Sequence, residues 1–260
     1  MELLRDGAHY FGLCLTAEHL RAFQIYYQEL CVWNRRFNLT AVTGYEEVQL
    51  KHFLDSLTCL LAFPTQGTVY TGGIPDVVPL SMAETPLLCI DVGTGAGFPG
   101  LPLKIMRPTV HMTLLDSSRK KILFLEHLVK RLGLTTVELL WARAEEAGRD
   151  ALHRERYDIV LARAVADMVV LVEYCLPLCR KGGYLIAQKG AEIEAELKAA
   201  EEATRLLGGK LREVKALQLP GLREPRSLVL VEKVAPTPPK YPRRPGMPKK
   251  CPLSAMTNSQ

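Results

Sequence analysis

The 260-residue sequence predicts an α/β fold: a seven-stranded, mostly parallel sheet with helices on both faces, preceded by an N-terminal helical cap. Three observations predict it. Beyond residue 87, short apolar runs alternate with amphipathic stretches. The first run, in Leu87–Gly100 (LLCIDVGTGAGFPG), stops at an acid and passes straight into glycines 93, 95, 97 and 100. The last two runs have only a turn between them.

The elements follow in order. Behind Thr16, a residue type that caps helix starts, Leu20, Phe23, Tyr27, Leu30 and Val32 recur at near-helical spacing and predict a helix over 16–37. Val48, Phe53, Leu57, Leu60 and Leu61 predict a second helix over 46–63. Four prolines and three glycines without a helical period make 64–86 a long loop. Strands are predicted at 87–91, 110–115, 136–141, 157–162 and 183–188, with helices after Gly100 and over 118–132, 167–180 and 191–207. Crossover helices of this kind build parallel strands. Segments 210–218 and 227–234, joined through Pro220-Gly221 and a charged bend, are expected to close the sheet as an antiparallel hairpin. The expected domains are a cap over 1–63, the loop 64–86, a ligand-binding domain over 87–234 and a basic, Pro-rich tail over 235–260.

The net charge of +5 lies in the tail, where Lys240, Arg243, Arg244, Lys249 and Lys250 have no acidic neighbour in sequence, so residues 1–234 are balanced. Seven cysteines without a CxxC pair read as reduced, mostly buried thiols; a zinc site on Cys175 and Cys179 has the wrong spacing and partners for the common patterns. No basic flank leads into a hydrophobic N-terminal core, and no stretch approaches about 18 consecutive apolar residues. A soluble, cytoplasmic monomer without a membrane partner is expected.

The glycine turn fits two cofactors. Gly95-x-Gly97-x-x-Gly100 matches a dinucleotide fingerprint, whereas Asp91-x-Gly93-x-Gly95-x-Gly97 places a carboxylate at the strand end. A carboxylate repels a pyrophosphate and attracts the sulfonium and ammonium of S-adenosylmethionine. Asp116 closes the second strand, where it can accept from ribose hydroxyls, and Ser117 and Ser118 follow as candidate helix caps. Ala144-Glu145-Glu146 follows the third strand, at the level of an adenine edge. Acids at three successive strand ends favour S-adenosylmethionine, with a nicotinamide-dependent reductase as the alternative.

The segment Asp91-Val-Gly-Thr-Gly-Ala-Gly-Phe-Pro-Gly-Leu-Pro resembles the signature of the ribosomal RNA small-subunit methyltransferase G family, also called glucose-inhibited division protein B. Trp33–Thr40 (WNRRFNLT), His52–Ser56 (HFLDS), Arg163-Ala164 and Gln188-Lys189-Gly190 agree, and the resemblance spans about residues 16–234 with an echo in Tyr241–Pro248. It implies a Rossmann-like class I S-adenosylmethionine-dependent methyltransferase acting on N7 of one guanosine in the 530-loop region of 16S ribosomal RNA. By motif, the cofactor contacts it implies are Gly93, Phe98, Asp116, Ser117, Ser118, Ala144, Glu145 and Arg163. Residues 64–86 exceed the family's usual link, and those after Leu253 match no part of it.

The chemistry fits a ring nitrogen. Guanine N7 has an in-plane lone pair and no proton to lose, so no general base is assigned. Leu161–Val165 (LARAV) lacks the Asn/Asp-Pro-Pro-aromatic turn of exocyclic amino methyltransferases and the Pro-Cys pair of thiolate enzymes. Arg163 is the candidate polar residue there, facing cofactor, guanine or phosphate. For RNA, the candidates are Arg119, Lys120 and Lys121, whose charges oppose a helix N-terminus, with Lys189, Arg223, Arg226 and the tail cations Lys240, Arg243 and Arg244. The tail is too poor in apolar residues to fold alone and reads as extended chain that orders on RNA. Asn34, Arg35 and Asn38 are expected as a polar rim, His52 and Asp55 as a structural pair tying the cap to the core, and Trp33 and Phe37 as core. An RNA-binding assembly factor without turnover is the non-enzymatic alternative.

Overall fold

The computed structural model describes residues 1–63 and 86–253. The predicted loop, apart from Pro86, and the chain after Leu253 lie outside the described residues.

The cap opens with α1 (Glu2–Tyr10), which periodicity did not predict, and continues with α2 (Ala17–Phe37). Thr16 starts α2 as expected: its Oγ1 accepts from His19 N at 3.2 Å while its own N–H donates to His19 Nδ1. The predicted second helix is broken into α3 (Tyr45–Val48), a π-helical turn (Gln49–Leu54), α4 (Asp55–Leu57) and a 3-10 turn (Thr58–Ala62). The wide π turn occurs where His52 and Asp55 must both reach the domain behind them.

The sheet is built from β1 (Leu88–Val92), β2 (His111–Asp116), β3 (Val137–Trp141), β4 (Tyr157–Arg163), β5 (Cys179–Lys189), β6 (Gly209–Leu217) and β7 (Arg226–Lys233). Its order is β3-β2-β1-β4-β5-β7-β6, with β7 alone running against the direction of the other six. Six parallel strands and one reversed were expected. β5 starts at Cys179, four residues earlier than predicted, because Cys179 already pairs with Tyr157 across a bulge.

Alternate residues of each central strand enter two cores. Cys89, Ile159 and Leu161 face the cap, α5 (Gly100–Met106) and α6 (Arg119–Arg131). Ile90, Val92, Val160 and Ala162 face α8 (Met168–Cys175) and α9 (Glu194–Leu206). Both faces are covered, which explains why these strands read as continuous apolar runs. Cap residues Phe23, Tyr26, Leu30, Phe53 and Leu57 belong to the same core as Leu101, Phe124 and Leu125. Each such side chain contributes about 1.5–3 kcal/mol by burial.

The tail departs from expectation: residues 237–250 dock on the body and end in α10 (Met247–Lys250). The Arg154 guanidinium donates to the carbonyls of Thr237 and Tyr241, each at 2.8 Å, and the Arg149 side chain to that of Pro242 at 2.7 Å. Tyr241 enters the second core. The tail folds by borrowing the body's donors and apolar surface, which its own composition does not disclose.

Candidate functional site

Strand order reverses between β1 and β4, and a crevice of about 310 Å³ lies at the carboxyl ends of the strands there. Open α/β sheets bind ligands at such switch points. Its walls include Gly93, Asp116, Ser117, Lys121, Ala144, Glu145, Ala164, Val165 and Tyr174.

Asp91 fastens the glycine turn at both ends. Its Oδ2 accepts from Thr94 Oγ1 at 2.6 Å and from Gly100 N, at the start of α5, at 2.8 Å. The side chain is fully buried and Oδ1 has no partner. Burial pushes its pKa up to about 6, against the opposing pull of those hydrogen bonds and of the Arg163 charge. Gly93 has φ +69°, and a Cβ there would sit 2.9 Å from Val165 Cγ2, so glycine keeps the two walls of the crevice apart.

Asp116 is nearly buried and serves the backbone: Gly95 N donates to Oδ2 at 2.9 Å and Ser118 N to Oδ1 at 2.8 Å. Ser118 stands at the N-cap of α6 with no side-chain cap hydrogen bond, so the capping expected of its hydroxyl is absent, and Asp116 instead orders the turn that leads into the helix. Lys121, expected at the RNA surface, also lines the crevice, with its Nζ 3.4 Å from Asp116 Oδ2. After β3, Ala144 and Glu145 open α7 (Ala144–Ala147) and line the wall, while Glu146 turns away to accept from Arg143 N. Glu145 Oε1 accepts from Gly246 N at 2.8 Å, so the docked tail holds this wall from behind.

Five of the eight expected cofactor residues, Gly93, Asp116, Ser117, Ala144 and Glu145, thus meet in one crevice. Three do not line it. Ser118 contributes its N–H to Asp116. Phe98 is buried against the cap, stacked on Tyr26 at 5.2 Å and on His52 at 4.5 Å between centroids. Arg163 turns into the cap: it donates to Asp55 Oδ2 and to Lys51 O, both at 3.1 Å, and lies 5.1 Å from the Phe98 ring centroid. Position at a strand end leaves the direction of a long side chain open, and the buried Asp55 carboxylate decides it. The expected His52–Asp55 pair is likewise replaced by two contacts to Arg163. His52 also meets Thr40 Oγ1 at 2.8 Å, and burial together with the Arg163 charge lowers its pKa to about 4. Asn34 is no rim residue either, since its amide clasps Thr40 through both backbone groups. Trp33 and Phe37 pack against the core, as predicted.

Ala164 and Tyr174 complete the crevice without having been predicted. Ala164 has φ +53°, a conformation usually signalled by glycine, and Tyr174 arrives from α8 with nothing in its flanks to mark it.

The RNA candidates divide. Lys120, Arg223, Lys240 and Arg244 are exposed. Arg243 is withdrawn: it forks onto the fully buried Glu173, with Nη2 to Oε2 at 2.6 Å and Nε to Oε1 at 2.9 Å. Lys189 is held by Glu196 and the Ala166 carbonyl, and Arg226 lies 3.7 Å from Asp55 Oδ1. For Arg243 and Arg226 the partner is a buried carboxylate, whereas Glu196, which holds Lys189, is only partly buried.

No helix among the described residues is long and apolar enough to cross a membrane. A family model described as "GidB: rRNA small subunit methyltransferase G" matches residues 19–227. The chain is similar to the ribosomal RNA small subunit methyltransferase G of Pelotomaculum thermopropionicum, 47% identical over 252 residues that cover 97% of this chain and 98% of the relative. That of Desulforamulus reducens is 45% identical over 253 residues, covering 96% and 97%. Among solved structures, the antibiotic-resistance methyltransferase Kmr aligns over 60% of this chain and 90% of its own, with 17% identity and a TM-score of 0.49.

Proposed function

Because the chain belongs to the rRNA small subunit methyltransferase G family, we propose that it transfers a methyl group from S-adenosylmethionine to N7 of a guanosine in 16S ribosomal RNA. The observation that carries the cofactor assignment is the buried, unpartnered Asp91 Oδ1 behind the glycine turn, a negative group suited to a cationic ligand end. Asp116 offers acceptors for ribose hydroxyls, and Ala144 with Glu145 the wall for the adenine edge. Phe98 and Arg163 support the turn from the cap side and act by position.

When bound, S-adenosylmethionine supplies an electrophilic methyl on a sulfonium. The protein's task is then to hold the N7 lone pair close and in line, which needs no proton acceptor. His52 is neutral at physiological pH and packed on Phe98, consistent with a structural duty. Purified protein incubated with tritiated S-adenosylmethionine and undermethylated 16S RNA, naked and in small subunits, is expected to label the RNA at guanine N7. Absence of label from both substrates would overturn the reading, and calorimetric binding of NADH alone would favour the reductase.

The Asp91 carboxyl also sets a pH dependence. In the free protein it titrates near pH 6, and a cationic ligand end favours its ionised form, so binding expels a proton below that pH. Affinity for S-adenosylmethionine is expected to fall about tenfold from pH 7 to pH 5, the limit for one linked proton. Calorimetry in buffers of different ionisation enthalpy measures it, and a flat affinity would remove Asp91 from the site.

A further inference from the structure

Trp141 ends the edge strand β3, opposite Asp116 in register, and is 57% exposed. An indole left this open at a strand end gains little from the core. Its ring is nonetheless fixed: Nε1 donates to Ser117 O at 3.0 Å. The Arg119 guanidinium carbon lies 5.4 Å from the ring centroid, and Lys120 beside it is exposed. Both cations stand in the first turn of α6, where they oppose the helix dipole. Ser117 lines the crevice on one side of Trp141, and Ala142 and Arg143 line it on the other. The indole therefore stands at the rim of the crevice, on the Asp116–Ala144 side, without belonging to its lining.

We propose that Trp141 and Arg119 form a stacking platform for an unpaired RNA base next to the target nucleotide, with Lys120 meeting its phosphate. A rigid aromatic ring with an adjacent guanidinium is the combination that binds single-stranded bases without demanding one identity. The inference rests on the reading that the substrate is ribosomal RNA, and it adds a contact outside the cofactor crevice.

The test measures methyl transfer to undermethylated 16S RNA, naked and in subunits, by the wild type and by Trp141→Ala, Trp141→Phe and Arg119→Gln. Trp141→Ala is expected to raise KM for RNA at least about fivefold, as loss of one stacked base does, with KM for S-adenosylmethionine within twofold. Trp141→Phe should recover most of the loss. In a Trp33→Phe protein, where Trp141 is the remaining tryptophan, RNA should quench its emission saturably and S-adenosylhomocysteine should not. An unchanged KM for RNA with unquenched emission overturns the platform while RNA labelling keeps the methyltransferase reading. Quenching by S-adenosylhomocysteine with a raised cofactor KM overturns it in favour of an adenine contact. No label in RNA with the wild type overturns both.

Discussion

Gly97→Ala is expected to lower the unfolding free energy by about 3–5 kcal/mol, as backbone strain and overpacking combine. Gly97 has φ +101°, and a Cβ there would lie 2.5 Å from the Tyr26 hydroxyl, 2.8 Å from Leu101 Cδ1 and 3.0 Å from Leu125 Cδ2. None of these can retreat freely. Tyr26 is fully buried and its hydroxyl donates to Ala96 O at 2.6 Å, while Leu101 and Leu125 are core residues of α5 and α6. The turn cannot shift either, because Gly97 N donates to Thr94 O and Leu101 N to Gly97 O. With typical stabilities of about 5–15 kcal/mol, the variant should unfold at a much lower urea concentration. An unchanged midpoint would show that the turn is looser than its hydrogen bonds describe.

Arg163→Ala is expected to cost about 3 kcal/mol, the low end for breaking a buried ion pair, because Arg226 stays near Asp55. Burial already holds the Asp55 carboxyl above its usual range, and Arg163 opposes that rise. Without the guanidinium the folded-state pKa rises further above the unfolded value. The folded variant then binds its proton more tightly than the unfolded chain does, so its deficit grows as pH rises through the folded pKa and shrinks as pH falls towards the unfolded one. Urea unfolding of variant and wild type at pH 5 and pH 7.5 should show the larger gap at pH 7.5. Adding Asp55→Asn to Arg163→Ala should restore much of the loss, since it removes the stranded charge. Equal gaps at both pH values, or no restoration, would place the effect elsewhere.

The sheet was legible because its central strands are apolar on both faces, as Ile90 and Cys89 illustrate by entering opposite cores. The crevice was legible in part, since a glycine turn and acids at strand ends report backbone geometry directly. What escaped depends on tertiary partners. Arg163 and Arg243 look like ligand-binding cations until Asp55 and Glu173 appear, each distant in sequence and buried. The break in the second cap helix escaped because Gln49–Leu54 keeps ordinary helix-forming residues, and only the contacts it must make widen the turn. The tail escaped because its partners, Arg154 and Glu145 among them, lie about ninety residues earlier.

The order of synthesis gives the tail's grip on Glu145 a further meaning. Gly246 leaves the ribosome long after the strands, the glycine turn and the crevice wall it steadies. Domains generally fold from the N-terminal side as they emerge. Until Gly246 has emerged and docked, the crevice therefore has one wall unbraced.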